Sequence, residues 1–215
     1  MKIVSPSLLA ANFMELEKEL QMINESHAEW LHLDIMDGVF VPNISFGFPI
    51  LEAVAKRCTK KLDVHFMIEN PQKFIKETSK LGAMMMAVHY ENCPNLCRTI
   101  DEIHEAGMKA GVMINPATPV RAIKDVITMT DMIGVMAVNP GFGGQKYIER
   151  TQEKVKELKM LIDNTGANTL IEVDGGVNDV IGTRLAEAGA DVLVAGSYIF
   201  NAPNPLERID SLYKL

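Results

Sequence analysis

The feature that most constrains the fold of this chain is a type of segment that recurs along it. In four places a helical pattern ends in a glycine or another small residue, and a short apolar run follows that closes on a polar residue. The four segments are Glu25–Asp34, Leu81–His89, Ala106–Asn115 and Ala188–Ser197. Glycine after a helix favours the left-handed cap, and a continuous apolar run is typical of a strand buried on both faces. The recurrence therefore predicts repeated helix-to-strand connections in a parallel sheet.

Four further apolar runs bring the number of predicted strands to eight, with helical patterns between them. The four runs are Ile3–Ser7, Leu62–His65, Met132–Asn139 and Thr169–Asp174. The predicted helices are Phe13–Asn24, Pro49–Arg57, Pro71–Lys80, Leu96–Ala106, Val120–Val126, Ile148–Asn164, Ile181–Ala188 and Leu206–Leu212. Strands that alternate with helices indicate an α/β fold with a parallel sheet.

The length of the chain selects one parallel fold over another. Eight units in 215 residues leave about 27 residues for each, enough for a strand, a helix and two short loops. We therefore expect a single (β/α)8 TIM barrel domain over residues 1–215 with eight parallel strands and compact loops. An open doubly wound sheet is the main rival, but no GxGxxG motif follows the first predicted strand.

Composition and charge exclude several classes of function. The formal net charge is −7, and no basic patch of the kind that nucleic acid requires is present. No stretch approaches the ~18 apolar residues needed to span a bilayer, and the first residues do not have the pattern of a signal peptide. The odd set of cysteines, Cys58, Cys93 and Cys97, fits a reducing compartment. We therefore expect a cytoplasmic protein without a nucleic-acid or membrane partner.

Polar side chains end three of the predicted strands, where a barrel places its catalytic groups. His32 and Asp34 end the second strand, and their spacing of two puts both side chains on one side of the sheet. His65 ends the third strand and Asp174 the seventh. A single strand-end histidine is usually structural, but two imidazoles and two carboxylates together could converge on one divalent ion. Such ligands suit zinc, iron(II), manganese or cobalt. For His89 we expect a supporting hydrogen bond.

Three glycine-containing runs follow the sixth, seventh and eighth predicted strands. They are Asn139–Gln145, Asp174–Gly176 and Ala195–Ser197. Glycine lets backbone N–H groups approach an anion closely, and a helix N-terminus adds a favourable dipole. A single run would be explained by a turn alone. Three runs after the last strands of a barrel predict a phosphate site.

Six strings of this chain resemble the ribulose-phosphate 3-epimerase family, in the order and spacing of that family. They are His32–Gly38 (HLDIMDG), Val41–Asn43 (VPN), His65–Met67 (HFM), Val138–Gln145 (VNPGFGGQ), Glu172–Gly176 (EVDGG) and Ala195–Ser197 (AGS). The resemblance runs from Ser5 to Phe200 and implies a metal-dependent barrel enzyme of the pentose phosphate pathway. Its substrates would be D-ribulose 5-phosphate and D-xylulose 5-phosphate. The family is often oligomeric, which implies a homo-oligomer, although no stripe of residues identifies an interface.

The resemblance also implies roles for individual residues. His32, Asp34, His65 and Asp174 would bind one divalent metal ion, with Asp34 as the proton acceptor and Asp174 as the proton donor. Ser7 and His65 would contact the sugar. The residues implied to hold the rest of the substrate are Gly141, Phe142, Gly143, Gly144, Asp174, Gly175, Gly176, Gly196 and Ser197. The thioethers implied to line the pocket are Met36, Met67 and Met136, although methionine also fills irregular gaps in any core.

Three other functions fit parts of the same pattern. Epimerases of six-carbon ketose phosphates, such as D-allulose 6-phosphate, also resemble this sequence. They tend to alter the second glycine of EVDGG and the AGS string, both of which are intact here. A barrel that binds a sugar phosphate without catalysis has no need of both histidines and both aspartates. A decarboxylase of the same superfamily would require a lysine within His32–Gly38, and that string has none.

Overall fold

The computed structural model of this protein describes residues 1–215 and contains one sheet of eight parallel strands. In chain order the strands are β1 (Ile3–Pro6), β2 (Trp30–Met36), β3 (Lys61–Met67), β4 (Met85–His89), β5 (Lys109–Ile114), β6 (Met132–Met136), β7 (Leu170–Asp174) and β8 (Val192–Ala195). From β2 to β8 each strand pairs with the next one in the chain, and β8 pairs with β1. A parallel bridge between Ser7 and His32 links β1 to β2. The predicted (β/α)8 barrel is therefore confirmed.

Eight α-helices accompany the strands. They are α1 (Leu16–Glu25), α2 (Phe48–Arg57), α3 (Ile75–Lys80), α4 (Leu96–Glu105), α5 (Thr151–Thr165), α6 (Asp179–Ala188), α7 (Ser197–Phe200) and α8 (Pro205–Tyr213). None of these helices is long and apolar enough to cross a membrane.

The connection from β5 to β6 contains no α-helix, so the helix predicted over Val120–Val126 is wrong. Two short 3₁₀ turns, Val120–Ile123 and Ile127–Met129, take its place. The buried residues Val120, Ile123 and Val126 recur every three residues. That spacing matches the three residues per turn of a 3₁₀ helix better than the 3.6 of an α-helix. β-branched side chains also disfavour the α-helix.

Several element boundaries differ from prediction for local reasons. The predicted helices at Phe13 and Pro71 each begin with a 3₁₀ turn, and the α-helices start at Leu16 and Ile75. The strand predicted to reach Asn139 ends at Met136. There the Ala137 N–H donates a hydrogen bond of 2.7 Å to the Asp174 carbonyl oxygen. The chain then turns into the glycine-rich loop.

The barrel interior contains both apolar and polar side chains. A cluster of eight buried apolar residues includes Met85, Met113 and Met132. Glycine makes this packing possible, because a Cβ on Gly134 would lie 2.0 Å from the Met113 sulfur. A larger apolar cluster of 48 buried residues packs elsewhere in the fold. The buried polar side chains of the interior include His32 in β2, Asp63 in β3 and Glu172 in β7.

Candidate active site and metal centre

A cavity of about 430 Å³ opens at the carboxyl ends of the strands. The predicted site residues that line it are Ser7, Asp34, Met36, Met67, Met136, Gly141, Phe142, Gly143, Gly144, Asp174, Gly175, Gly176, Gly196 and Ser197. The remaining two, His32 and His65, are completely buried beside Asp34. The fold thus brings all the predicted site residues to one end of the barrel.

The four predicted metal ligands present their donor atoms to one point. His32 Nε2 lies 3.3 Å from Asp34 Oδ1 and 3.3 Å from His65 Nδ1, and His65 Nδ1 lies 3.2 Å from Asp34 Oδ1. Asp174 Oδ2 completes the set at 3.8 Å from His32 Nε2 and 3.7 Å from His65 Nδ1. All four atoms lie within 4.8 Å of one another.

The separations among His32, Asp34 and His65 fit a small divalent cation, and Asp174 Oδ2 lies slightly farther out. Metal–ligand bonds of about 2.0–2.1 Å in a tetrahedral site place neighbouring donor atoms about 3.3–3.4 Å apart. Two neutral imidazoles and two carboxylates also balance the double charge of such an ion. The cluster can therefore hold a divalent metal ion.

Asp63 and Ser7 fix two of the candidate ligands from behind. The Nδ1 atom of His32 lies 2.6 Å from Asp63 Oδ2, so His32 keeps its Nε2 atom directed at the cluster. The Ser7 hydroxyl donates a hydrogen bond of 2.6 Å to Asp34 Oδ2, so Asp34 Oδ1 remains available to the cluster. A carboxylate behind a ligating histidine sets its tautomer and ring orientation.

The two aspartates of the cluster have opposite pKa shifts. Burial opposes the ionisation of Asp34, but the charge of His32 and the hydrogen bonds of His32 and His65 outweigh it and lower the pKa of Asp34 well below its usual range. Burial and then the charge of Asp34 raise the pKa of Asp174 to about 7. Without a bound cation, Asp34 is ionised at neutral pH, whereas Asp174 is protonated in about half of the molecules near pH 7. Such a pair is suited to proton acceptance and donation.

The opposite side of the cavity is built from backbone. Six glycines line it, and none of their N–H groups donates a hydrogen bond within the chain: Gly141, Gly143, Gly144, Gly175, Gly176 and Gly196. No lysine or arginine lines the cavity. An anion bound there would be held by main-chain donors rather than by side-chain charge.

Two amide side chains hold the loop after β6 in place. Asn43 Nδ2, in the loop after β2, donates a hydrogen bond of 2.8 Å to the Gly141 carbonyl oxygen. Gln145 Nε2 donates to the Asn139 and Phe142 carbonyls at 2.6 and 2.8 Å. The VPN and VNPGFGGQ strings, which are far apart in the chain, therefore meet at the rim of the cavity.

Two buried carboxyl groups beneath the cluster were not predicted. Asp63 lies two residues before His65 and Glu172 two residues before Asp174, so all four side chains point into the barrel. Both Glu172 oxygens are buried without a hydrogen-bond partner, and burial followed by the charge of Asp63 raises the pKa of Glu172 well above its usual value. The spacing of two that linked His32 to Asp34 could have identified both residues.

Comparisons with known proteins agree with this geometry. Residues 3–200 match the family model described as the Ribulose-phosphate 3 epimerase family. The ribulose-phosphate 3-epimerase of Bacillus subtilis is 46% identical over 210 residues, which cover 97% of each chain. That of Synechocystis is 44% identical over 209 residues, covering 96% of this chain and 91% of the other.

Solved structures with low identity share the fold. A tryptophan synthase α-subunit from Pyrococcus furiosus superposes with a TM-score of 0.73 at 15% identity, covering 100% of this chain and 98% of that one. At that identity the likeness is one of barrel architecture alone. The match to the family over residues 3–200 and the relatives above 40% identity carry the assignment: this chain belongs to the ribulose-phosphate 3-epimerase family.

Proposed function

We propose that this protein interconverts D-ribulose 5-phosphate and D-xylulose 5-phosphate, a step of the pentose phosphate pathway, by moving a proton at C3. One observation carries the proposal. His32, Asp34, His65 and Asp174 direct donor atoms at one point beside a cavity, and two of them are carboxyl groups with opposite pKa shifts. The names of the relatives support the same reaction.

The reaction needs a base and an acid at one carbon. Inverting C3 of a 2-ketose requires removal of a proton beside the carbonyl and return of a proton to the opposite face. The intermediate enediolate carries negative charge on its oxygens. Asp34, which is ionised and anchored by Ser7, accepts the C3 proton of D-ribulose 5-phosphate, and Asp174 donates the proton that produces D-xylulose 5-phosphate. In the reverse direction the two aspartates exchange roles.

A divalent metal ion would be held by His32 Nε2, Asp34 Oδ1, His65 Nδ1 and Asp174 Oδ2. When bound, such an ion supplies Lewis-acid stabilisation of the negative charge that develops during proton removal. Zinc, iron(II), manganese and cobalt all suit this set of nitrogen and oxygen ligands. A chelator should therefore abolish activity, and re-addition of these ions one at a time should identify the one that restores it best.

The phosphate end of the substrate would lie against the glycine loops. The free N–H groups of Gly143, Gly144, Gly176 and Gly196 supply donors, and the Ser197 hydroxyl supplies one more. Asn178, which caps α6, also lines the cavity, so the positive end of that helix dipole favours an anion nearby. In a chain with a net charge of −7, this local arrangement takes the place of basic side chains.

The sugar would lie between these two regions, beside Ser7 in the cavity lining, with the completely buried His65 behind Asp34. Met36, Met67 and Met136 are almost completely buried and line the same cavity. Their thioethers would cover the apolar side of the sugar and exclude water from the carboxyl groups, which strengthens the electrostatic interactions there. Phe142 is half exposed at the rim and would close over the substrate.

We further propose that residues 1–215 act as one domain in a cytoplasmic homo-oligomer. The continuous barrel supports one domain, because its first and last strands pair with each other. Three free cysteines support a reducing compartment. Sedimentation of the purified protein would measure the oligomeric state.

A coupled assay tests the proposed reaction directly. Purified protein should convert D-ribulose 5-phosphate to D-xylulose 5-phosphate, lose that activity with a chelator and regain it with a divalent ion. D-Allulose 6-phosphate in the same assay tests the six-carbon alternative, which predicts the higher kcat/KM for that substrate. Binding of sugar phosphates without turnover, in metal-loaded protein, would instead indicate a binding module.

A further inference from the structure

The second ring nitrogen of His65 contacts another histidine rather than a carboxylate. Its Nδ1 atom faces the candidate metal cluster, and its Nε2 atom lies 2.8 Å from His89 Nε2. Both imidazoles are completely buried, and their ring centroids are 5.0 Å apart with planes 25° apart. Phe40 packs against the His89 ring, with centroids 4.8 Å apart. Water has little access to the bond between the two rings.

The contact fixes where the protons lie. Two facing ring nitrogens form a hydrogen bond only if one of them carries a hydrogen and the other a lone pair. A histidine that ligates a metal through Nδ1 keeps its hydrogen on Nε2, so His65 is the donor and His89 Nε2 the acceptor. A neutral His89 with a lone pair on Nε2 carries its hydrogen on Nδ1.

That Nδ1 hydrogen has one acceptor, Glu91. His89 Nδ1 lies 3.2 Å from Glu91 Oε2. The other oxygen, Glu91 Oε1, accepts from the Asn115 N–H at 2.8 Å and from the Thr118 hydroxyl. A carboxylate can accept at both oxygens at once, whereas the amide of a glutamine can accept at only one. The loop after β5 therefore holds Glu91 where its side chain must accept hydrogen bonds at both oxygens, which only a carboxylate can do.

We propose that Glu91 is a positioning residue for the metal centre, acting through His89 to hold His65 in the tautomer that presents a lone pair on Nδ1. The inference rests on the proposed metal role of His65. The other ligating histidine, His32, has its carboxylate in direct contact, since Asp63 Oδ2 lies 2.6 Å from its Nδ1. His65 reaches a carboxylate through one additional imidazole, and this chain of hydrogen bonds connects β3 to the loop after β5.

Nitrogen-15 NMR of zinc-loaded protein tests the proposal, because the chain has only five histidines. In the wild type we expect His65 to carry its hydrogen on Nε2 and His89 on Nδ1. Glu91→Gln should lower zinc affinity about 10- to 100-fold, the usual effect of losing the carboxylate that supports a metal-bound histidine. It should also shift the His89 nitrogen signals.

The matched control is Asp131→Asn. Asp131 Oδ2 accepts hydrogen bonds from His104 Nε2 at 2.8 Å and from the Ala110 backbone N–H at 2.9 Å. None of these residues lines the cavity. This variant should change the His104 signals and leave zinc affinity within about twofold of the wild type, since a distant pair does not orient the ligands.

Two results would overturn the role of Glu91. One is a wild-type His89 with its hydrogen on Nε2, which is measurable even if the variant does not fold. The other is a folded Glu91→Gln protein whose zinc affinity equals that of Asp131→Asn. Failure of the proposed metal role looks different: zinc would then leave the His65 Nδ1 signal unchanged in the wild type, and the role of Glu91 would fall with it.

Discussion

The cavity has two sides that are built from different parts of the chain. On the metal side, four side chains from β2, β3 and β7 supply every candidate donor atom. On the phosphate side, the donors are main-chain N–H groups of glycines in the loops after β6, β7 and β8. The metal side depends on which side chains are present and on their protonation. The phosphate side depends on backbone conformation, so its binding is expected to weaken mainly when a substitution adds a side chain at one of its glycines.

The glycines show how little bulk the phosphate side can accept. Gly175 has a φ of +110°, and a Cβ there would lie 2.4 Å from a methyl carbon of Val138. Gly176 has a φ of +66°, and its Cβ would lie 2.9 Å from the Tyr147 backbone nitrogen. Residues other than glycine rarely adopt such φ values. Both positions therefore require glycine for its backbone conformation and for its lack of a side chain.

The largest effect is expected on the metal side, from His65→Ala. Loss of one of four ligands should lower metal content and reduce activity by more than about 100-fold, since even residues that only support a ligand cost 10- to 100-fold. Elemental analysis and kinetics of the purified variant measure both quantities. Circular dichroism should show a folded barrel, since the substitution leaves the backbone pairing of β3 with β2 and β4 intact. Full metal content with near-normal turnover would exclude His65 as a ligand.

The corresponding change on the phosphate side is Gly196→Val. A Cβ at this position would lie 3.1 Å from the Ala10 Cβ, so a branched side chain must displace the loop that carries the free N–H group. Loss of one or more hydrogen bonds to a charged phosphate should raise KM about 10- to 100-fold, while the metal content stays normal.

The control for that variant is Gly47→Ala. Gly47 lies outside the cavity with an extended backbone, and its Cβ would meet nothing closer than 3.9 Å. Its KM should stay within about twofold of the wild type. If Gly196→Val loses metal and keeps its KM, the two sides of the cavity are not separate in the way described.

The third prediction uses pH to separate the two sides. Burial and the charge of Asp34 raise the pKa of Asp174 to about 7, and the charges of Asp34 and Asp63 overcome burial to raise the pKa of His32. The atoms that would ligate the metal, His32 Nε2 and Asp174 Oδ2, must be free of protons for the ion to bind. Metal affinity should therefore increase with pH by at least about tenfold per unit below pH 7, and the contribution of Asp174 should end above it.

Calorimetry in buffers of different ionisation enthalpy would measure the protons released on metal binding. The N–H groups on the phosphate side do not titrate, so inorganic phosphate should bind with only the pH dependence of its own ionisation near about pH 6–7. A metal affinity that is constant between pH 5 and pH 7 would contradict the assignment of Asp174 as a ligand.

The smallest effect is expected from Ser197→Ala. One hydroxyl among several N–H donors contributes about 0.5–1.5 kcal/mol, so KM should rise roughly 2- to 12-fold with kcat nearly unchanged. Steady-state kinetics with both epimers would measure it. Equal KM values for Ser197→Ala and the wild type would show that the hydroxyl does not contact the substrate.

The sequence predicted the metal side better than the helices around it. Strands buried on both faces leave long apolar runs, so the positions of His32, His65 and Asp174 within β2, β3 and β7 could be predicted from the printed sequence. Only Asp174 ends its strand as predicted, because β2 continues to Met36 and β3 to Met67. The 3₁₀ turn at Val120 was predicted as a helix, because spacings of three and of 3.6 residues differ little over seven residues.

Contacts between distant segments were beyond prediction. Nothing local indicates that Asn43 donates to the Gly141 carbonyl or that Glu91 accepts from His89, because the barrel register alone brings these residues together. Asp63 and Glu172 were an intermediate case: their spacing placed them inside the barrel, but a buried carboxyl group without a partner is so costly that sequence reasoning disfavours it.

The central claim is that Asp34 and Asp174 act on opposite faces of C3, and solvent deuterium exchange tests it most directly. In metal-replete Asp174→Asn protein, epimerisation should collapse while deuterium still enters unconverted D-ribulose 5-phosphate at C3, because Asp34 remains able to exchange that proton. Asp34→Asn should show the converse with D-xylulose 5-phosphate. Metal content is measured in the same samples, since both aspartates are proposed ligands. If one metal-replete variant loses exchange with both epimers while the other retains full epimerisation, a single base serves both faces and the claim is wrong.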